Sequence, residues 1–220
     1  MSAYFWLATY DERDNNWVTM QENLYGACSV FQSCIPHLCR ACHRVDKKAV
    51  FESKETFEPG PQIRVRAGRE FAHSGEGFTL IRTRVLKLLR RHRVVGYAAK
   101  PIPFTDWHVL RITRTVPFKK FKPRYDEPGC KVCGYRAYYG IALALHQIGV
   151  PTEGNTLFTP EFERPQGQDV FLTEKVALML KGNGARGAEL QRLLSEEEYK
   201  WAEEDTPQAR RKIKSRFILL

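Results

Sequence analysis

The distribution of apolar and polar positions predicts a chain of short strands and a few short helices. The N-terminal run "YFWLATY" is apolar and aromatic and reads as a strand. Residues 11–30 are mixed, with Trp17, Val18 and Tyr25 as strand positions. Residues 52–77 are polar and rich in Gly and Pro, so they read as connection, with "QIRVRAG" as a short extended piece. The most regular stretch follows. "FTLI" is a short apolar segment, and Thr83 stands where it could cap a helix running to about Arg93. Leu86, Leu89 and Arg90 recur there at helical spacing, with Val85 and Leu88 beside them, and Gly96 marks the stop. "HVLRITRTV" (108–116) reads as a strand with Leu110, Ile112 and Val116 on one face and Arg111 on the other. "YYGIALALHQIG" is apolar and closes on a turn at "GVP". "DVFL" then predicts a strand, Thr173 a cap, and Val176, Met179 and Leu180 a helix that Gly182 and Gly184 end.

The last two helical regions share one plan: a short apolar stretch, a Thr, a short amphipathic helix and a glycine. Thr83 and Thr173 are 173 − 83 = 90 residues apart, which suggests two related strand–helix–strand half-units. The expected fold class is α+β, a mixed sheet with a few short helices and a pair of zinc knuckles. Residues 1–195 are expected to form one domain. Residues 196–220 turn acidic, then basic, then apolar, and read as a charged tail, helical in part.

Composition adds two constraints. At 220 residues, 43% hydrophobic and 12% aromatic, the chain can build a core and is not disordered by composition. No apolar run approaches the roughly 20 residues of a membrane span. The N-terminus lacks the basic and apolar regions of a signal peptide. A cytoplasmic location without membrane insertion is the expectation. The net charge of +10 favours anionic partners, although charge of this size also serves solubility alone.

Six cysteines stand at 28, 34, 39, 42, 130 and 133. Zinc takes four soft thiolates in a tetrahedron, and one CxxC turn supplies two of them. "GCKVCG" offers Cys130 and Cys133, and "LCRAC" offers Cys39 and Cys42. The 130 − 42 − 1 = 87 residues between the pairs are a tolerable insertion, because loop-closure cost grows slowly with length. A closed shell of four cysteines leaves no position for water, so this Zn2+ is expected to be structural. Cys28 and Cys34, with His37 and His43, leave other ligand sets open. For the two cysteines the plainer role is that of small buried hydrophobes.

No catalytic constellation emerges. GxSxG, Walker and HExxH motifs are missing from the chain. "GNGARG" (182–187) matches GxGxxG but follows a helix instead of a strand, so it reads as a helix stop. His73, His92, His108 and His146 stand alone, and no enzymatic activity is expected.

The order of these features resembles the double-CxxCG motif family first noted as paralogues in myxobacteria. "YFWL", "LCRAC", "VLKLLRRHRVVGY", "EPGCKVCG" and "DVFLTEKVALML" carry the resemblance, over roughly residues 3–195. Cys42 is followed by His43, where that family has Cys-Gly. The resemblance implies an immunity protein of a toxin–immunity system, a bacterial cytoplasmic binding protein with metal ligands Cys39, Cys42, Cys130 and Cys133. Its partner would be a cognate protein toxin. Anchors for such a partner are sought among Trp107, Tyr135, Arg136, Tyr138 and Tyr139, residues that a core would also use. A positive chain suits a toxin with an acidic face, or contact through the acidic patch Glu196–Glu198 with Glu203, Glu204 and Asp205. The alternative is a zinc-stabilised nucleic-acid-binding protein. It would use "KLLRRHRV" (87–94) and "PFKKFKPRY" (117–125), with Arg90, Arg91, Arg93, Lys119, Lys120 and Lys122 on phosphates.

Overall fold

The computed structural model describes residues 4–8, 21–22, 28–29, 32–42, 45–54, 56–57, 68–74, 77–117, 130–134, 149, 154–160, 170–198 and 217–219. Trp17, Tyr25, the tyrosines of 135–139 and the basic run 118–125 lie outside them. The fold is α+β. In chain order the strands are β1 (Tyr4–Ala8), β2 (Gln21–Glu22), β3 (Cys28–Ser29), β4 (Phe71–His73), β5 (Thr79–Arg82), β6 (Tyr97–Pro101), β7 (Trp107–Ile112), β8 (Thr115–Val116), β9 (Leu157–Pro160), β10 (Val170–Thr173), β11 (Glu189–Arg192) and β12 (Phe217–Leu219). The helices are a 3-10 helix at Gln32–His37, α1 (Lys47–Glu52), α2 (Thr83–Arg91) and α3 (Glu174–Gly182).

Two sheets carry the core. One has the order β4-β5-β7-β6, the other β12-β11-β1-β10-β9-β8. The "FTLI" and "DVFL" runs lack alternation because β5 and β10 are buried on both faces. On one side, Phe71, Ile81, Leu110 and Ile112 of one sheet meet Leu7, Val170, Leu172 and Leu190 of the other, with Val85, Leu86 and Leu89 of α2 and Val176, Ala177 and Leu180 of α3 in the same core. On the far side of the four-stranded sheet, Leu80, Val109 and Trp107 pack beneath Val50 and Phe51 of α1, with Phe57 and Cys34. Val109 therefore shares its face with Arg111, and both faces of β7 are apolar.

The two half-units foreseen from Thr83 and Thr173 are present, with a step of 91 instead of 90. Arg82 and Thr173 are the helix N-cap residues (173 − 82 = 91), with φ/ψ of −73°/154° and −72°/155°. Thr83 is thus the first helical residue, and its hydroxyl donates to Asp106 O (3.0 Å) instead of capping. Thr173 makes no side-chain cap either, and its hydroxyl donates to Gly154 O (3.1 Å). Each helix ends alike. Val94 N–H bonds Leu89 O at 2.9 Å, and 91 residues later Ala185 N–H bonds Leu180 O at 3.0 Å. Arg93 and Gly184 take the left-handed conformation of that turn (φ 51° and 65°), then Gly96 and Gly187 follow at φ 88° and 98°.

The central strands of the two sheets are exchanged between the repeats. β7 lies between β5 and β6, whereas β1 holds the equivalent place between β10 and β11. The registers correspond. Trp107 faces Arg82 and Tyr4 faces Thr173, while Leu110 faces Ala99 and Leu7 faces Leu190. The chain is therefore built from two structural repeats in tandem, in which the first strand of each repeat completes the sheet of the other. The same exchange explains why Ile102 N–H bonds Trp107 O and Leu193 N–H bonds Tyr4 O, both at 2.9 Å.

The sheets also touch at two related edges. Val95 forms a parallel bridge with Thr156, and Glu70 N–H donates to Arg186 O (2.9 Å). The buried Glu70 carboxylate reinforces the second edge. It accepts from Arg84 (2.6 and 2.7 Å) and from the Arg186 N–H (3.0 Å). Gly96 lies at the first edge, where a Cβ would run into the Leu157 carbonyl oxygen and approach Arg114 Cβ to 3.1 Å. Gly96→Ala is expected to cost about 3 kcal/mol or more, from a backbone clash at positive φ. Chemical denaturation measures it, and a loss below about 1 kcal/mol would contradict this packing.

The described residues past 195 are joined to this frame. Glu198 accepts from Arg192 (2.8 and 2.9 Å), and β12 pairs with β11 as the last strand of its sheet. The GxGxxG stretch 182–187 ends α3 and leads into β11, as a helix stop does.

Candidate metal centre

The four cysteines come from two equivalent turns. After the 3-10 helix, Leu38 bridges Val45 and Asp46 N–H bonds His37 O (3.0 Å), closing the segment that carries Cys39 and Cys42. In the second turn Gly134 N–H bonds Cys130 O (2.6 Å), and Gly134 takes φ 69°, a conformation that suits glycine. The glycine after Cys133 thus does local work in the turn. His43, its counterpart in sequence, lies outside the described residues.

The turns face each other. Cys39 Sγ is 3.8 Å from Cys130 Sγ, and Cys42 Sγ is 3.5 Å from Cys133 Sγ. Each pair is separated by the 91 residues that relate the helices, so the centre lies where the two repeats meet. All four Sγ atoms fall within 4.8 Å of one another and are half-buried, and none is in a disulfide. A tetrahedron with metal–sulfur bonds of about 2.3 Å has edges of about 3.8 Å. The sulfur set therefore fits a metal ion with four thiolate ligands.

Electrostatics prepare the thiolates. The backbone N–H groups of Cys133 and Val132 point at Cys130 and lower its pKa to about 6 from an ordinary 9.0. The N–H groups of Cys42 and Ala41 act likewise on Cys39 and lower its pKa. A depressed pKa stabilises the folded chain at high pH. The contribution of Cys130 is complete above about 9 and is lost as pH falls through about 6. In metal-free protein, alkylation of Cys130 by iodoacetamide should show a midpoint near pH 6. A midpoint above about 8 would contradict this environment.

The other sulfurs and imidazoles fall elsewhere. Cys34 is fully buried in the core under α1, matching the role of a small hydrophobe. Cys28 is on β3. His37 ends the 3-10 helix and is not part of the four-cysteine group. His108 sits on β7, where burial and then Arg90 lower its pKa, which favours the neutral ring.

Among the expected partner anchors, Trp107 is 6% exposed and stacks against the Arg82 guanidinium (4.7 Å to the ring centroid), so it is core. Tyr135, Arg136, Tyr138 and Tyr139 lie outside the described residues, as do Lys119, Lys120 and Lys122. Arg90, Arg91 and Arg93 are exposed on and just after α2. The sequence reading missed Phe104, a fully exposed aromatic at the β6–β7 turn. Its signal was the Pro-Phe-Thr-Asp turn (103–106) between two apolar runs. Among the described residues no helix is long and apolar enough to cross a membrane. No protein-family model matches this chain, and a search of curated proteins also finds no match.

Proposed function

We propose that this chain is an immunity protein that binds and neutralises a cognate toxin, and that a structural Zn2+ on Cys39, Cys42, Cys130 and Cys133 holds its two repeats together. The observation that carries this is the convergence of both CxxC turns on one site, since those turns define the family that the sequence resembles. Zinc is the metal of choice because an all-thiolate tetrahedral set selects it among common divalent ions. Four protein ligands fill its coordination, so the ion would stabilise the fold without activating water.

One observation favours a second reading as a nucleic-acid-binding protein. Lys87, Arg90 and Arg91 are exposed along α2 and Arg93 just after it, and the helix carries no acidic residue. Phosphate contacts from such a row weaken steeply with salt. The deciding experiment is a pull-down from nuclease-treated lysate of the native host. The immunity reading expects one retained protein that is toxic when expressed alone and harmless with this chain. Retention of nucleic acid only, lost on nuclease treatment or at high salt, would replace it with the second.

A further inference from the structure

The β6–β7 turn carries a residue out of place by two measures. Phe104 is 105% exposed, whereas Phe5, Phe51, Phe57, Phe71, Phe78, Phe158 and Phe171 are all buried. Its φ is 59°, a left-handed conformation that bulky side chains adopt rarely and only when their surroundings enforce it. The surroundings here do enforce it. Thr105 Oγ1 donates to Ile102 O (2.9 Å) and accepts from Trp107 N–H (3.1 Å), while Ile102 N–H donates to Trp107 O (2.9 Å). Asp106 O accepts from both the N–H (2.7 Å) and the hydroxyl (3.0 Å) of Thr83, and the Asp106 carboxylate pairs with Arg82. The turn is thus fixed from both sides, and what it fixes is an aromatic ring in water.

We infer that Phe104 is a preformed anchor that inserts into an apolar pocket, rimmed by acidic residues, on the surface of a protein partner. Rigid aromatic side chains dominate interface energetics because they bury a large area while losing little freedom. The acidic rim follows from the neighbour. Thr83 opens α2 beside the turn, and the exposed basic positions Lys87, Arg90 and Arg91 follow along that helix, which carries no acidic residue. A lipid surface fits less well, since the turn offers a single exposed aromatic side chain. The inference rests on the partner-binding reading proposed above.

The test compares the full chain with Phe104→Gly, which keeps the positive φ, and with Leu178→Ser, which removes another exposed apolar side chain (55%) on α3. All three serve as bait in nuclease-treated, membrane-cleared host lysate, and binding to vesicles with anionic lipid is measured in parallel. The expected result is a saturable protein partner held by the wild type and by Leu178→Ser. Phe104→Gly should hold it at least about 30-fold more weakly, with a melting temperature equal to or above the wild type. Equal retention by Phe104→Gly overturns the anchor alone, as does a lowered melting temperature, which would make Phe104 structural. Phe104-dependent binding to vesicles replaces the protein with a membrane. A wild type that retains no protein overturns the partner-binding reading and this inference together.

Discussion

Cys130→Ser is expected to abolish stoichiometric metal binding and to lower the melting temperature by about 8–16 °C. The variant leaves three thiolates from a set in which every sulfur faces another across the junction of the repeats. An ion held at a thousand times its dissociation constant stabilises a fold by about 4 kcal/mol. For a chain of this size each kcal/mol moves the midpoint by about 2–4 °C. The exchange of strands sharpens the expectation, because the centre joins two turns 91 residues apart and closes a long loop of the fold. Cys34→Ser is the control. Cys34 is buried in the core under α1, so its variant should keep a full complement of metal while losing some packing. Elemental analysis of both purified variants, beside thermal melts, checks the pair. Full metal content and an unchanged melting temperature in Cys130→Ser would contradict the assignment.

Removal of residues 1–8 is expected to prevent folding, although only one five-residue strand is lost. In an ordinary tandem repeat the first strand serves its own unit, often at an edge. Here β1 pairs on one side with β10 and on the other with β11, so its loss splits the larger sheet through the middle. It also withdraws Phe5 and Leu7 from the shared core, each a deletion of about 2–5 kcal/mol by itself. Together these match the whole stability of a typical domain. The truncated chain should show no cooperative melt, and a synthetic peptide of residues 1–10 added in trans should restore one. A truncated chain that melts cooperatively near the wild-type temperature would show that β1 is dispensable and the exchange misplaced. Loss of the edge strand β12 provides the contrast, since it pairs on one side only and should be milder.

The parts of this fold legible in the sequence are those with local causes. The apolar runs at 4–8, 79–82 and 170–173 are strands, and the amphipathic spacing of Val85, Leu86 and Leu89 places α2. The four metal-site cysteines were legible for a chemical reason: two CxxC turns supply a four-thiolate set, and the structure brings them together. The repeat was visible through Thr83 and Thr173 but out of step by one. In the second unit the threonine is the N-cap residue, and in the first it is the residue after it. What was not legible depends on distant partners. β4, β6 and β11 are short, and β6 is half-buried along most of its length, so their strand character comes from neighbours more than from pattern. β12 lay inside a segment whose charge runs read as a tail. α1 does have a local signal, the Asp46 side chain that caps it through Ala49 N–H (3.0 Å), but the helix is only six residues long and sits directly after the cysteine-rich segment. The exchange of β1 and β7 leaves no mark in either strand, because both would be equally apolar in either sheet.

The most direct test of the metal clasp is X-ray absorption at the zinc K-edge on protein purified from zinc-supplemented cells. Four sulfur scatterers at about 2.3 Å, and no nitrogen or oxygen, are expected. A shell with two or fewer sulfurs, or one completed by nitrogen or oxygen ligands, would mean that the two CxxC turns do not share an ion and that the repeats are held together without one.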